Sequence, residues 1–259
     1  MRCDLHSHST ESDGTESPAE VAARAAGRDL ALFALSDHDI CTPIEIPGVR
    51  VVRAVEISCD YAGRTIHVLA YDRGGSGWAD LEARLAATRD ARRNRLRVMA
   101  AKLAQRGVRI DVEPIIARAD GRSVGRPDLA RAMVAAGAAT SMDDAFARHL
   151  YDNGPVDVPH HGFRLVDALA LGRAANAAMS LAHPHLYNPA LLRDHARDGL
   201  GGVEAFYGGY DPGERARWTD LADELGLVCT GGADSHGPDD PIGIELPDDR
   251  AAALLEWLA

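Results

Sequence analysis

The chain is poor in cysteine, and what it has is scattered. Cys3, Cys41, Cys59 and Cys229 form no CxxC pair, so neither a disulfide framework nor a thiolate zinc site is expected. The four read as small buried apolar residues. No apolar run approaches the roughly 20 residues a membrane span needs, and the opening MRCDLHSHS lacks the apolar stretch of a secretory signal. The expectation is a cytoplasmic protein without a membrane partner. Basic charge is also short, with 28 Lys and Arg against 39 Asp and Glu, a net of −11. Phosphate backbones demand a basic footprint, so duplex nucleic acid is not an expected partner. Internal repeats, low-complexity tracts and long linkers are missing as well.

What is present suffices for a full core. The 259 residues are 46% apolar and 26% charged, which suits one barrel-sized α/β domain or two smaller ones. Charge is uneven: residues 80–131 hold 13 Lys and Arg against 7 Asp and Glu, a local net of +6. An acidic body with one basic segment fits a small anionic substrate better than a polymer. Most of these arginines, including Arg84, Arg92 and Arg95, are expected on a solvated helix face.

Short apolar runs alternate with helical patterns. Residues 1–8, 31–36, 49–57 and 65–71 read as strands, and Ser17-Pro18 opens a helix to about Gly27. After Gly74-Gly75-Ser76-Gly77 the texture changes. Trp78 to Gln105 reads as one long helix with an intermittent stripe of Leu81, Leu85, Leu96, Met99 and Leu103. Shorter helices are expected at 128–136 and 142–150. Strands then return at 178–182, 202–207 and 227–231, with helices near 165–176, 189–198, 213–225 and 249–258. The pattern predicts an α/β protein with a largely parallel sheet. Its strand-bearing parts are 1–77 and 161–259, and 78–160 is a helical insertion or lid.

The polar residues at the strand ends carry the chemistry. His6 and His8 stand at i and i+2 after the first strand, so both imidazoles face one side and can share an ion. Asp13 follows in a Ser-Asp-Gly turn; alone it would read as a turn-former. Other runs lead into His38, Glu56 and His183, the strand at 65–71 carries His67, and the strand at 227–231 leads to Asp234 and His236. Strand C-terminal ends converge in parallel α/β folds, so residues far apart in sequence meet in space. Nine nitrogen and oxygen donors without sulfur suit Mn²⁺, Zn²⁺ or Fe²⁺. They are too many for one ion and about right for two or three sharing a bridging carboxylate.

The segments DLHSHSTESDGT, ALSDHD, AVEIS, IHVLAYD, LAHP and GGADSHG, in this order, resemble the successive motifs of the PHP (polymerase and histidinol phosphatase) phosphoesterases. The resemblance covers nearly the whole chain and is greatest to the branch of nucleoside 3′,5′-bisphosphate phosphatases. It implies a distorted (β/α)7 barrel with an inserted small helical domain and a trinuclear site. Carried over motif by motif, His6, His8, Glu56 and Asp234 would hold the first metal. Glu56 would bridge to a second, also bound by His67 and His183, and Asp13, His38 and His236 would hold the third. Glu56, Asp234 and His183 would serve catalysis directly. GRPDLA at 125–130 resembles a segment in which a His is common where Asp128 stands, and the loop after Tyr207 often carries a His near Tyr210. Substrate contacts are expected from Arg126, whose planar fork can hold two oxygens, and from His160, His185 and Tyr207, with His161 a further candidate.

The function implied is hydrolysis of a small, nucleotide-like phosphomonoester by a metal-bridged hydroxide. No Cys or Ser is placed for a covalent phosphoenzyme, and no obligate protein partner is evident. The alternatives are a cyclic-phosphate or oligonucleotide phosphodiesterase on the same metals and an amidohydrolase acting on C–N bonds. A non-catalytic metal- or nucleotide-binding module is the remaining one.

Overall fold

A computed structural model describes residues 1–151, 153–158 and 163–259. The chain opens with β1 (Arg2–Asp4), then α1 (Pro18–Ala26), β2 (Leu32–Phe33) and β3 (Arg50–Val51). Helix α1 begins where the sequence marks it. Ser17 accepts from the Glu20 amide, the Glu20 carboxylate accepts from the Ser17 amide, and Pro18 occupies the first turn.

The expected strand at 49–57 is split, because β3 ends at Val51 and a separate β4 runs over Ala54–Tyr61. Strand β5 (Arg64–Asp72) returns antiparallel to it. The turn between them is Ala62-Gly63, both with positive φ (53° and 77°), the backbone of a tight hairpin whose twist matches its strands. This reversal corrects the largely parallel expectation at this point: β5 is antiparallel to both of its neighbours.

Helices α2 (Trp78–Gln105), α3 (Glu113–Arg118), α4 (Arg126–Ala135) and α5 (Met142–Ala145) follow. The long helix starts and stops where its pattern predicts. Its first turns pack Trp78, Leu81 and Leu85 into the main core. Its last turns pack Leu96, Met99 and Leu103 into a second apolar cluster with Leu129 and Met133 of α4. The expected helix at 142–150 is α only to Ala145, and a π turn completes it from Phe146 to Leu150.

The remainder alternates β6 (Phe163–Arg164), α6 (Leu165–Ala174), β7 (Ala177–Leu181), α7 (Ala190–His195), β8 (Gly202–Tyr207), α8 (Pro212–Leu225) and β9 (Val228–Gly232). It ends with β10 (Ile244–Glu245) and α9 (Asp248–Trp257). Strands β7, β8 and β9 run parallel.

The ladders form two sheets, ordered β10-β1-β2-β3 and β6-β4-β5-β7-β8-β9. Among the described residues they do not close into one continuous barrel. Short bridges join them instead, where Leu5 N–H donates to Gly231 O and Asp39 N–H donates to Glu56 O. The first bridge lies one residue before His6, and the second joins the residue after His38 to Glu56. No helix of the described residues is long and apolar enough to cross a membrane.

Candidate metal centre

The backbone explains why the nine expected donors meet. His6 and His8 follow β1 with their peptides tied to the chain after β9: His8 N–H donates to Ser235 O, and Asp234 N–H donates to His6 O. That approach needs Gly232, where a Cβ would stand 2.3 Å from the Cβ of His6. On β4, Glu56 and Ser58 share a face, and pairing of Ser58 with His67 and of Glu56 with Leu69 puts His67 diagonal to Glu56. Glu56 and His67 therefore lie within strands rather than at their ends, a correction to the strand-end placement of Glu56. Three non-glycine residues here have left-handed backbone: Asp39 (φ 54°), His183 (φ 29°) and Asp234 (φ 56°). Such conformations cost energy and persist where surrounding structure imposes them.

Glu56 is the centre of the arrangement and is almost fully buried. Its Oε2 lies 3.3 Å from His6 Nε2, 3.2 Å from His8 Nε2 and 3.0 Å from His38 Nδ1. Its Oε1 lies 3.1 Å from both His67 Nδ1 and His183 Nε2. Asp234 Oδ1 is 3.3 Å from His6 Nε2 and 3.2 Å from His8 Nε2. Asp13 stands between three imidazoles, 3.6 Å from His8 and from His38 and 3.4 Å from His236. His236 is the most exposed of the nine donors.

The donors fit divalent cations. His6 Nε2, His8 Nε2 and His38 Nδ1 are buried with no hydrogen-bond partner among the described residues, yet each faces a carboxylate oxygen. Ligands about 2.1 Å from one ion lie roughly 3.0–3.4 Å apart in octahedral or tetrahedral geometry, the spacing seen here. Four triads of these residues, built from His6, His8, Asp13, His38, Glu56, His67, His183 and Asp234, bring donor atoms within 4.8 Å of one another.

The imidazoles and carboxylates of the cluster stabilise one another's charge. Burial alone would raise the Glu56, Asp13 and Asp234 carboxyls, but the surrounding imidazoles hold all three well below the usual carboxylate range. Burial would lower His8, but Asp234, Glu56 and Asp13 outweigh it and push it up to about 10.

A supporting layer lies behind the donors. Glu204, fully buried, takes His6 Nδ1 on Oε1 at 3.0 Å and the His183 amide on Oε2 at 2.8 Å. This turns His6 Nε2 toward Glu56 and fixes its tautomer. Asp37 accepts from the Ser9 amide and from the hydroxyls of Ser9, Ser12 and Thr42, pinning the loop that carries Asp13. The sequence reading assigned neither role. A lone carboxylate inside the apolar run of β8 was the available signal, because a buried charge needs partners.

A cleft of about 570 Å³ opens over the donors. His38, Glu56, His67, His183, Asp234 and His236 line one part, and Arg126, His185 and Tyr207 line the same cleft. Arg126 begins α4 and donates to Leu150 O at 3.3 Å. His185 Nδ1 is 2.9 Å from the Tyr210 hydroxyl, and Tyr207 donates to Asp234 Oδ2 at 3.1 Å. His160 and His161 lie outside the described residues. The solvated-face expectation fails for two arginines. Arg92 is buried against Asp39, and Arg95 donates to Val158 O and pairs with Asp157.

Buried imidazoles and carboxylates around one shared carboxylate, open to a cleft on an α/β frame, define a metal-dependent hydrolase. No protein-family model matches the chain. It is 31% identical to a 3′,5′-nucleoside bisphosphate phosphatase of Chromobacterium violaceum, over 91% of this chain and 87% of that one. It is 30% identical to a phosphoribosyl 1,2-cyclic phosphate 1,2-diphosphodiesterase of Eggerthella lenta, over 90% and 94%. A 5′-3′ exoribonuclease of Haemophilus influenzae matches at 31%, over 91% and 90%. A solved structure from Bifidobacterium adolescentis, described as a metal-dependent phosphoesterase, superposes with a TM-score of 0.84 at 28% identity, over 98% and 96%. The chain belongs to the PHP family of metal-dependent phosphoesterases.

Proposed function

We propose that the protein hydrolyses a small, nucleotide-like phosphomonoester at a centre of up to three divalent ions, Mn, Fe or Zn. The observation that carries this reading is the position of Glu56. One of its oxygens faces His6, His8 and His38, and the other faces His67 and His183, as a carboxylate shared between ions requires. In this reading His6, His8, Glu56 and Asp234 hold one ion, and Glu56, His67 and His183 a second. Asp13, His38 and His236 hold the third, with His38 standing between the last two sets. Ions bound there would supply an activated water and neutralise phosphoryl oxygens.

The chain's own residues bind and orient. Glu204 keeps His6 Nε2 directed at Glu56, and Tyr207 steadies Asp234 through its hydroxyl. Arg126 and His185, on the walls of the cleft, receive the phosphate groups and the rest of the substrate. The cluster and Arg126 together explain how a chain of net charge −11 accepts an anion: the local field is inverted by cations. In architecture, the two sheets act as parts of a distorted (β/α)7 barrel, and the helices between 78 and 150 act as an inserted lid beside the cleft.

Hydrolysis of a nucleoside 3′,5′-bisphosphate, a cyclic phosphodiester, a short oligoribonucleotide and an amide, each followed by chromatography of its own products, tests the reading. Turnover of the bisphosphate above the others is expected. Turnover confined to the cyclic diester or the oligonucleotide would replace the monoester reading with a diesterase on the same centre. Turnover of the amide alone would overturn the phosphoesterase reading altogether.

A further inference from the structure

We infer that Arg92 of α2 is a positioning residue that sets Arg126 against the metal centre. The helical segment thereby takes part in substrate binding. The inference rests on the proposed role of Arg126 as a phosphate contact.

Arg92 lies on the face of α2 that carries Leu85, Leu96 and Met99, and its side chain is only 8% exposed. Its guanidinium reaches three places. Nε donates to Asp39 Oδ2 at 2.5 Å, Nη2 donates to Ser58 Oγ, and Nη1 donates to Val124 O at 3.4 Å. The first two partners belong to the floor of the metal centre. Asp39 follows His38, its amide donates to Glu56 O, and its carboxylate also accepts from the Ser58 amide. Ser58 pairs with His67 across the hairpin. The third partner belongs to the turn that launches Arg126. Val124 precedes Gly125, the cap of α4, and a Cβ at Gly125 would stand 3.3 Å from Arg92 Nη1.

One rigid, planar group therefore spans from the strands that carry Glu56 and His67 to the first turn of the helix that carries Arg126. A guanidinium can serve three acceptors in fixed directions, whereas an ammonium on a flexible stem cannot. The neighbouring arginines are close enough to interact, since burial and then the charges of Arg126 and Arg92 pull Arg95 down to about 10. The same turn has other anchors. Ser123 N–H donates to Glu11 O, and Arg122 donates to Thr10 O at 2.6 Å. These tie it to the loop before Asp13, so loss of Arg92 changes the aim of Arg126 without detaching the helices.

The test is a double-mutant cycle on the manganese-loaded, full-length protein, with adenosine 3′,5′-bisphosphate as the probe. Arg92→Lys is the first variant, because it keeps a charge beside Asp39 and preserves the fold. Arg126→Ala is the second, and their combination is the third. Arg126→Ala is expected to lower kcat/KM about 30- to 150-fold. Arg92→Lys is expected to lower it about 5- to 20-fold, chiefly through KM, with metal content unchanged. The double variant should match Arg126→Ala alone, because residues acting through one another do not add. Losses that multiply, with Arg126→Ala still strongly impaired, overturn this inference and leave the Arg126 reading standing. Loss of metal in Arg92→Lys also overturns it, because Arg92 would then serve the centre directly. A silent Arg126→Ala overturns the phosphate-contact reading and the inference with it.

Discussion

Five imidazoles face Glu56, and a sixth joins them through Asp13 and Asp234, whereas the buried Arg92 and the half-buried Arg95 of the helical segment meet carbonyls, a hydroxyl and single carboxylates. Both regions hide charge. At the strand bridges most of the charged groups face other potential ligands, and His6 Nε2, His8 Nε2 and His38 Nδ1 have no hydrogen bond among the described residues. On α2 each guanidinium is served by ordinary protein acceptors. The first region has the donor set of a divalent-metal site and the second does not. The contrast separates a region built for chemistry from one built to hold a wall of the cleft in place.

The sharpest way to break that contrast is Glu56→Gln. A neutral amide bridges two ions poorly, so turnover is expected to fall on the order of 10³-fold or more with the circular-dichroism spectrum unchanged. Near-wild-type turnover at saturating metal would remove Glu56 from the bridging role.

On the helical side the expected damage is to stability. Leu129 is fully buried in the second apolar cluster, and Leu129→Ala should cost about 2–5 kcal/mol in denaturant unfolding. Metal content at saturation should not change. A parallel loss of metal would show that the two cores are one cooperative unit.

Glu204→Gln probes the layer behind the ligands. Removing a carboxylate that fixes a ligand's tautomer should weaken metal affinity about 10- to 100-fold, measured by competition with a chelator. Arg84→Ala marks the low end. Arg84 lies over the Phe163 ring at 5.4 Å, and its loss should cost under about 1 kcal/mol with unchanged kinetics.

The paired donors His6 and His8, like Asp234 and His236, were legible from their spacing, but the backbone that holds them was not: all four lie beyond the ends of β1 and β9, and Asp234 is left-handed. The long helix was legible from its stripe, and its ends agree with the structure. The reversal at β5 was hidden because Ala62-Gly63 is not a strong hairpin dipeptide, although both residues take positive φ. Strands β6 and β10 have two residues each, too few for any periodicity to show. Arg92 was misjudged for an instructive reason. The stripe on α2 is interrupted between Leu85 and Leu96, and the gap at Thr88 and Arg92 lies on the same buried face. Helical spacing placed Arg92 inside, while its charge argued for outside. What decided between them was Asp39, 53 residues away in sequence. Long-range pairing of this kind has no local signature, and the same holds for Glu204 with His6.

The central claim is that Glu56 is shared between ions. Elemental analysis of gently purified protein, before and after equilibration with Mn²⁺, tests it most directly. The account predicts more than one equivalent of divalent metal per chain, with the excess over one lost in Glu56→Gln. A clean one-to-one stoichiometry, unchanged by added Mn²⁺, would contradict it.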